Sequence, residues 1–492
     1  MRSVEPRQLC FAFADSPKGG GDDGNSGGPE GREFLVHTAD TRNATGSTAT
    51  AASGLLEKVA SSSNLAKALL HVARKRGAGG VDRVSVDEVV AASRRLLPRL
   101  RRDVLEGRYQ PGDVRRVWIP KPGGGRRGLG IPNVVDRWVQ QAVHQVLMPV
   151  FEPSFHNSSH GFRPHRGAAT AIAEAKGYVA AGLTTVVSVD LSKFFDRVHH
   201  QRLLARLSQR VDDGRVLRLI HRMLKAKVVM PDGTRVSSDE GTPQGGPLSP
   251  LLSNIVLDEL DWELGRRGLR FVRYADDFNV FVASKRAGER VMANVIRFIT
   301  RRLRLKVNED KSAVTRPEDF HFVGFSLQRR PEGPVEVLLS RRSKRRIEAK
   351  IRELTPRNLG RALDVCIRRI NEYLKGWYEH FRLCTLGARN SFGYYDGHIR
   401  RRLRAIIVRQ KKRPRYLFRH LVKRDVSVRS AARVAWCDRG PWYKSNQPGM
   451  WRAYPNAWFH VRLFNLQTAL ENQYAEPTVP VQAVLPGLEI PT

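Results

Sequence analysis

Two adjacent carboxylates interrupt an apolar stretch of the chain, "FVRYADDFNV" at residues 271 to 280. The segments on either side of Asp276 and Asp277 are rich in Phe, Val and Tyr, and this composition predicts two β-strands. A short interruption between strands is usually a hairpin turn, which Asn-Gly or Asp-Gly closes easily. Because neighbouring aspartates repel each other, this pair indicates a chemical role for the carboxylates.

A third carboxylate stands where another strand is predicted to end. In "TTVVSVDLSKFFDRVHH", a Val-rich β run stops at Asp190, before a segment that turns into a helix. Nucleotidyl transfer uses two divalent cations, held by carboxylates, to activate a hydroxyl and to stabilise the pyrophosphate leaving group. Mg²⁺ prefers oxygen ligands and keeps several waters, so three aspartates suffice. Each motif alone is more often a helix cap or a solvated turn, but together they favour a two-metal site.

The pattern along the chain predicts the elements that position these carboxylates. From residue 109 to about 327, short β-rich runs alternate with helical ones, as in an α+β domain; from residue 340 onward, basic helices dominate. Near the start, "LLEKVASSSNLAKALLHVARKRG" predicts two helices with Ser63 or Asn64 as the cap between them. We divide the chain into a flexible arm (1–54), a helical N-terminal extension (55–108), an α+β core (109–330), a helical domain (331–410), a basic segment (411–475) and a tail (476–492).

The charge of the chain indicates a polyanionic partner. Lys and Arg number 85 against 48 Asp and Glu, a formal net charge of +37. Such an excess opposes compaction, and nucleic acid is the commonest partner that relieves it. A basic proteome from a GC-rich genome explains part of the excess. Residues 400–424 carry twelve Lys and Arg and no acid, which predicts a nucleic-acid-binding face.

Aromatic and cysteine patterns are less specific. Tyr373, Trp377 and Phe381 share one helical face, which fits a packed core stripe at least as well as stacking on bases. The four cysteines form no CxxC pair, which argues against a zinc ribbon or a disulfide framework. No apolar run approaches the length of a membrane span, and the N-terminus lacks an apolar signal core. We therefore expect a soluble protein in a reducing compartment.

Taken together, the motifs resemble those of reverse transcriptases encoded within bacterial group II introns. The polymerase motifs are "IPKPGGGRRGLGIPNVVDRWVQQAV", "GFRPHRGAATAI", "VDLSKFFD", "GTPQGGPLSPLLSNIVLDELD", "YADD" and "HFVGFSL", the last being similar to the primer-grip region. "INEYLKGWYEHFR" is similar to the maturase, or thumb, segment, and "GPWYKS" to part of the C-terminal segment. The start, "QLCFAFADSPKG" followed by "NLAKALLHVARKRGAGGVD", resembles the N-terminal extension, so the resemblance covers nearly the whole chain.

The resemblance implies which residues bind the metal ions and which residue protonates the pyrophosphate. Asp190, Asp276 and Asp277 would be the catalytic carboxylates and would hold two Mg²⁺ ions, with Mn²⁺ as a substitute. Asp190 and Asp276 would be the bridging ligands, and the backbone carbonyl of Leu191 an additional ligand. Lys311 matches the lysine that protonates the pyrophosphate, although a Lys after an acidic turn is more often a surface residue.

Four further residues would bind the incoming deoxynucleoside triphosphate (dNTP). Phe195 matches the steric gate, whose ring would clash with a ribose 2′-OH; the alternative is a core aromatic, and since neighbouring Phe residues cannot both face inward on a strand, one can face the site. Gln244 matches the residue that contacts the nucleotide, with glycines after it that let the backbone come close. Lys121 and Arg127 flank a Gly-rich loop between two β runs, and cationic donors there suit a triphosphate.

The sequence departs from the family in two places. Many relatives end in a nicking domain marked by paired cysteines and histidines, which are not found here, so the resemblance is to the lineage without a C-terminal endonuclease. The glycine that usually follows the "GVD" aspartate is Arg83 in this chain, which could reshape a turn in the fingers.

We therefore expect an α+β right-hand polymerase: fingers and palm with a helical N-terminal extension, a helical thumb or maturase domain, and a basic C-terminal segment. The expected function is RNA-directed DNA synthesis combined with binding of the parent intron RNA during splicing and retrohoming. The expected partners are intron and template RNA, the DNA target or primer, and dNTPs. The expected location is a bacterial cytoplasm, in association with the nucleoid or a ribonucleoprotein, with no membrane. Whether two copies pair as a homodimer stays open.

The alternative functions are those of a domesticated reverse transcriptase of phage defence or DNA repair, and of a splicing-only RNA-binding maturase.

Overall fold

The computed structural model describes residues 54–120, 125–237, 240–330, 332–356, 360 and 362–475. Lys121, nearly all of the predicted arm and the predicted tail lie outside these ranges. The described chain forms two compact units. The first, called the N-terminal unit here, contains residues 54–171, 189–278 and 294–311; the second, the C-terminal unit, contains residues 172–188, 279–293 and 312–475.

Helices dominate both ends of the described chain. The helices are α1 (Leu55–Val59), α2 (Ser62–Arg74), α3 (Val86–Ala91), α4 (Ser93–Leu105), α5 (Val134–Phe151), α6 (Ala168–Ala180), α7 (His200–Leu207), α8 (Gly214–Leu224), α9 (Ser249–Arg266), α10 (Lys285–Phe298), α11 (Arg341–Leu354), α12 (Leu363–Phe381), α13 (Arg389–Gln410), α14 (Pro414–Val422), α15 (Val428–Ala435), α16 (Pro441–Lys444), α17 (Pro448–Ala453), α18 (Asn456–His460) and α19 (Leu466–Tyr474). None of these helices combines the length and the apolar composition that crossing a bilayer requires.

The strands lie between α4 and α11. They are β1 (Val114–Pro120), β2 (Arg126–Ile131), β3 (Thr185–Val189), β4 (Val228–Val229), β5 (Arg235–Val236), β6 (Arg270–Tyr274), β7 (Asp277–Val282), β8 (Ala313–Thr315), β9 (Phe325–Gln328) and β10 (Glu336–Leu339). Three sheets result, with the strand orders β2-β1-β4-β5, β6-β7-β3-β8 and β10-β9. β1 and β2 are antiparallel and pair Ile119 with Arg127, whereas β1 and β4 are parallel.

The N-terminal helices pack on α5, and their cap differs from the predicted one. Ser61, rather than Ser63 or Asn64, caps α2, because its hydroxyl accepts a hydrogen bond from the Asn64 amide at 3.3 Å. The Asn64 side chain instead donates to the carbonyls of Val59 at 2.9 Å and of Ala142 at 3.1 Å, which joins α1 and α5. A polar residue one turn into a helix is thus used for a long-range contact.

Arg83 adopts the left-handed backbone conformation that favours glycine, with a φ of +59°. The glycine that the resemblance leads us to expect here would favour the same conformation. A non-glycine residue in this region carries about 1–2 kcal/mol of strain.

The aromatic stripe of α12 belongs to the core of the C-terminal unit. Trp377 and Phe381 are both only 9% exposed, and their ring centroids are 4.4 Å apart. Trp377 also contacts Phe392 of α13, whereas Tyr373 is half-buried. Of the two interpretations of this stripe, the packed core is therefore the one observed for Trp377 and Phe381.

Part of the basic run at 400–424 is also structural. Arg404 is 5% exposed and donates two hydrogen bonds to the Tyr454 carbonyl, and Arg424 donates to the Ala453 carbonyl at 2.8 Å. These cations hold helix ends together within the C-terminal unit. The exposed cations of the run, called the basic ridge below, are Arg409, Lys412, Arg413, Arg415, Arg419 and Lys423.

Candidate active site

The β6–β7 hairpin presents Asp276 and Asp277. Both strands are predominantly apolar and buried, with Val272, Phe278 and Val280 at 0% exposure, so packing anchors the strands on either side of the turn. Ala275 and Asp276 form the turn itself, and Asp277 is the first residue of β7. Both aspartates are half-buried.

Asp190 follows directly after β3, which is the neighbour of β7 in the sheet. Its carbonyl accepts a hydrogen bond from the Asn308 amide at 2.8 Å, and the Ser192 amide donates to the Lys306 carbonyl at 2.8 Å. Together these bonds form a short antiparallel bridge centred on Leu191. The bridge uses the backbone groups of the residues flanking Leu191, so it leaves the Leu191 carbonyl to other ligands.

The charges of Asp190 and Arg127 both affect the pKa of Asp276. The pKa of Asp276 is raised, chiefly because burial disfavours the carboxylate, and the negative charge of Asp190 raises it further. The turn backbone and the guanidinium of Arg127 act in the opposite direction. A carboxyl whose charge is opposed by burial and by a second carboxylate is a group that a divalent cation would stabilise.

The donor types therefore fit Mg²⁺, but the described residues contain no group of three or more His, Cys, Asp or Glu side chains placed to hold a metal ion. Instead, the Asp190 carboxylate has a cation beside it: Nζ of Lys311, on the 3₁₀ turn Glu309–Lys311, is 3.9 Å from Oδ2 of Asp190. The three-carboxylate ligand set remains a prediction.

The residues predicted to contact the nucleotide come from two further segments of the N-terminal unit. Arg127 is exposed, on β2 of the β1–β2 hairpin, whereas Lys121 lies outside the described residues. The Gly130 amide of β2 donates to the Gln244 carbonyl at 2.9 Å, which ties the "PQGG" loop to this hairpin. Gly245 has a φ of +140°, and a Cβ there would overlap the Gly130 carbonyl oxygen, so the close approach needs glycine.

Phe195 joins the same loop. Its carbonyl accepts a hydrogen bond from the Thr242 amide at 2.7 Å, two residues before Gln244. Phe194 and Phe195 lie on a 3₁₀ turn, Phe194–Asp196, and not on the strand that we expected. The two side chains nevertheless differ in burial as expected: Phe194 is 2% exposed, whereas Phe195 is half-buried.

Sequence reasoning missed a buried arginine behind the β6–β7 turn. Arg273 of β6 is 0% exposed and forms an ion pair with Asp261 of α9, also 0% exposed, with 2.6 Å between Nη2 and Oδ2. It also donates to the Ala275 carbonyl at 2.8 Å. The available signal was a charged residue within the apolar run "FVRY", at a position where a strand side chain is expected to be buried.

Comparisons with known proteins identify two domains in this chain. The model of the family "Reverse transcriptase (RNA-dependent DNA polymerase)" matches residues 119–327, and that of "Group II intron, maturase-specific domain" matches residues 344–425. The first match confirms the α+β polymerase fold. Divalent-metal use and nucleic-acid partners are general properties of these domains.

Three relatives illustrate the extent of the similarity. Protein YkfC of Escherichia coli (strain K12) is 35% identical over 290 residues, which cover 51% of this chain and 76% of YkfC. Group II intron-encoded protein LtrA of Lactococcus lactis subsp. cremoris is 27% identical over 310 residues, 50% of this chain and 51% of LtrA. The putative COX1/OXI3 intron 2 protein of Saccharomyces cerevisiae is 36% identical over 165 residues, 34% of this chain and 19% of that protein.

The similarity thus spans about half of LtrA and most of YkfC. A polymerase domain is followed on the same polypeptide by a maturase-specific domain, in the order expected from the motifs. The chain therefore belongs to the reverse transcriptases and maturases that group II introns encode.

Proposed function

We propose that this protein synthesises DNA on an RNA template, by two-metal attack of a primer 3′-OH on the α-phosphate of a dNTP, and that it binds its parent intron RNA during splicing and retrohoming. The observation that carries the polymerase assignment is the placement of the carboxylates: Asp190 directly follows β3, and Asp276 and Asp277 lie at the start of β7, the strand that pairs with β3. A carboxylate pair next to an exposed guanidinium can serve both the cations and the triphosphate of the reaction.

The proposed metal ligands are the carboxylates of Asp190, Asp276 and Asp277 together with the Leu191 carbonyl. Two Mg²⁺ ions, or Mn²⁺ in their place, would lower the pKa of the primer hydroxyl and neutralise the developing phosphate charge. The chain's own part is to hold these oxygen atoms at the ends of paired strands, where packing limits their movement. Occupation of the site would also offset the burial, and the nearby charge of Asp190, that raise the pKa of Asp276.

The remaining residues orient the nucleotide and handle the proton. Arg127, on the β1–β2 hairpin, and Lys121, which follows β1 in the sequence, would bind the triphosphate through charge-assisted hydrogen bonds. The Gln244 loop would lie along the nucleotide, and the half-buried Phe195 ring would exclude a 2′-OH. Lys311, with Nζ 3.9 Å from Asp190, is placed beside a catalytic carboxylate and would give its proton to the departing pyrophosphate.

The proposed maturase activity rests on the C-terminal unit. The basic ridge concentrates exposed cations within the range that matches the maturase-specific domain, residues 344–425. Such cations would bind the phosphates of intron RNA, and log affinity should fall with log salt by about 0.7–0.9 for each phosphate neutralised. The proposed RNA and DNA partners occur together in a bacterial cytoplasm, where we place the reaction.

Replacement of one carboxylate tests the proposal. Asp276→Asn removes a metal-ligand charge and should lower primer extension about a thousandfold, as expected from about 4 kcal/mol of lost transition-state stabilisation. Affinity for intron RNA should stay within about twofold, because the proposed RNA-binding ridge belongs to the other unit. Asp212→Asn makes the same chemical change at an exposed position of the N-terminal unit and should leave both properties unchanged. Undiminished synthesis by Asp276→Asn would contradict the polymerase assignment.

The gene's surroundings distinguish the mobile-element function from a domesticated one. A reading frame that lies inside a folded intron ribozyme supports retrohoming, whereas an isolated frame in a defence operon supports a domesticated reverse transcriptase. A splicing-only maturase would bind and splice its intron but would show no primer extension with the wild-type chain.

A further inference from the structure

The guanidinium of Arg273 is enclosed behind the β6–β7 turn. Nε donates to Oδ1 of Asp261 at 2.7 Å and Nη2 to Oδ2 at 2.6 Å, and neither side chain is exposed to solvent. A carboxylate that accepts from two nitrogens of the same guanidinium fixes both the position and the plane of that group. The orientation of the remaining donor atoms of Arg273 is therefore determined by α9.

Those donors contact the backbone of the catalytic turn and its surroundings. Nη1 donates to the Ala275 carbonyl at 2.8 Å and to Oδ1 of Asn254 at 2.9 Å. Nη2 also donates to Oγ of Ser159 at 2.7 Å. We call Arg273, Asp261, Asn254 and Ser159 the turn-backing cluster.

The turn needs such support because Ala275 has a φ of +59°. A residue with a Cβ is disfavoured in this left-handed conformation, so the surrounding contacts must maintain it. Ala275 directly precedes the two aspartates, and its peptide orientation determines the direction in which the chain enters Asp276.

A second segment, from Ser158 to Gly161, packs against the β6–β7 turn. The Arg273 amide donates to the Ser158 carbonyl at 2.8 Å, and the His160 amide donates to the Arg273 carbonyl at 2.9 Å. Nδ2 of Asn254 donates to the Gly161 carbonyl at 2.9 Å. A Cβ at Gly161 would overlap the Ala275 amide nitrogen, so the two backbones are in direct contact.

We propose that Arg273 is a positioning residue for the polymerase reaction: its guanidinium holds the Ala275 carbonyl, and thereby the orientation in which Asp276 and Asp277 receive divalent cations. The inference rests on the proposed function. The guanidinium suits this task because it is planar and distributes five donors over the partners at once. A lysine ammonium that reaches Asp261 cannot also reproduce the bonds to Ala275 and Asn254.

The alternative is that Arg273 is only a buried ion pair that stabilises the fold. Both explanations predict a lower melting temperature for Arg273→Lys, so stability alone does not distinguish them. The positioning role predicts in addition a specific loss of cation affinity, because groups that orient metal ligands typically contribute about 10–100-fold to that affinity.

The experiment uses the full chain with Arg273→Lys. Mn²⁺ binding is measured by electron paramagnetic resonance in the absence of nucleic acid, and the sites lost in Asp276→Asn mark the catalytic ones. We expect the Kd of these sites to rise about tenfold and kcat for primer extension to fall about tenfold or more. Affinity for intron RNA should remain within about twofold, since the proposed RNA-binding ridge belongs to the C-terminal unit.

Arg404→Lys is the control. Arg404 is likewise buried, at 5% exposure, and donates two hydrogen bonds to the Tyr454 carbonyl in the C-terminal unit, whereas the turn-backing cluster belongs to the other unit. This variant should lower the melting temperature while leaving Mn²⁺ affinity unchanged. An equal loss of Mn²⁺ affinity in both variants would show a general effect of losing a buried arginine and would overturn the proposal.

Two further results also bear on the role of Arg273. If Arg273→Lys does not fold, the double variant Arg273→Met with Asp261→Leu removes the pair without leaving a buried charge, and the same loss of Mn²⁺ affinity is expected. Wild-type Mn²⁺ affinity in the folded variant overturns the positioning role. If the wild-type chain itself does not extend primers, the proposed function fails, whereas the Mn²⁺ comparison still decides whether Arg273 orients the turn.

Discussion

Gly245→Ala tests whether the close approach of the "PQGG" loop to β2 is needed for nucleotide binding. Gly245 has a φ of +140°, where a residue with a side chain is strained by about 1–3 kcal/mol. The new methyl group would also overlap the Gly130 carbonyl oxygen, a backbone atom of β2 that cannot rotate away. The loop should therefore shift, and it should carry Gln244 out of its position next to the hairpin.

We expect a total cost of about 3 kcal/mol, divided between stability and nucleotide binding. If all of it appears in binding, KM for dNTP rises about 150-fold, and if half appears there, about tenfold. Single-nucleotide incorporation over a dNTP series gives KM, and thermal unfolding gives the remaining part of the cost.

The neighbouring glycine provides the control. At Gly246, φ is not in the left-handed range, and an added Cβ would meet the end of the Gln140 side chain, which can change rotamer. Gly246→Ala should therefore change KM less than about threefold. Wild-type KM and melting temperature in Gly245→Ala would refute the reasoning, because the overlap with β2 leaves no unstrained arrangement.

Three other changes have defined outcomes. Phe195→Ala should raise incorporation of ribonucleotides relative to deoxynucleotides about tenfold in single-turnover assays, and unchanged discrimination would exclude the ring from sugar selection. Trp377→Ala should lower the free energy of unfolding by about 3–5 kcal/mol in urea titrations, whereas a cost below 1 kcal/mol would contradict its place in the core. Burial lowers the pKa of His144 to about 4, from a usual value of 6.5, so the folded chain resists protonation more than the unfolded one. The free energy of unfolding should be at its full value above pH 6.5 and fall toward pH 4, and His144→Leu should reduce this dependence; an unaltered pH profile would assign it to other groups.

Local pattern predicted the strands around the site well. The apolar runs before Asp190 and on both sides of Asp276 are short and β-rich, and β3, β6 and β7 occur there. Strand formation depends largely on residues that are close in sequence, so pattern is informative. The same reasoning failed for the cap of α2, because Asn64 is engaged by a carbonyl of α5, seventy-eight residues away in the chain.

Pattern also could not separate alternatives that local sequence supports equally. The spacing of Trp377 and Phe381 fits a core stripe and a stacking face, and only the rings of neighbouring helices decide for the core. Likewise, Arg404 stands in a run of cations, yet it is buried on the Tyr454 carbonyl. Burial depends on what packs against a helix, and that information lies elsewhere in the chain.

The amino-acid sequence by itself determined which residue types can do chemistry, the strands and turns that carry them, and the family to which their order belongs. Only the tertiary structure decided that Asp190 and Arg127 act on the charge of Asp276, that Lys311 lies beside Asp190, and that Arg273 supports the turn from behind. The physical reason is that these relations join segments far apart in the chain, and their distances follow from the packing of whole strands and helices.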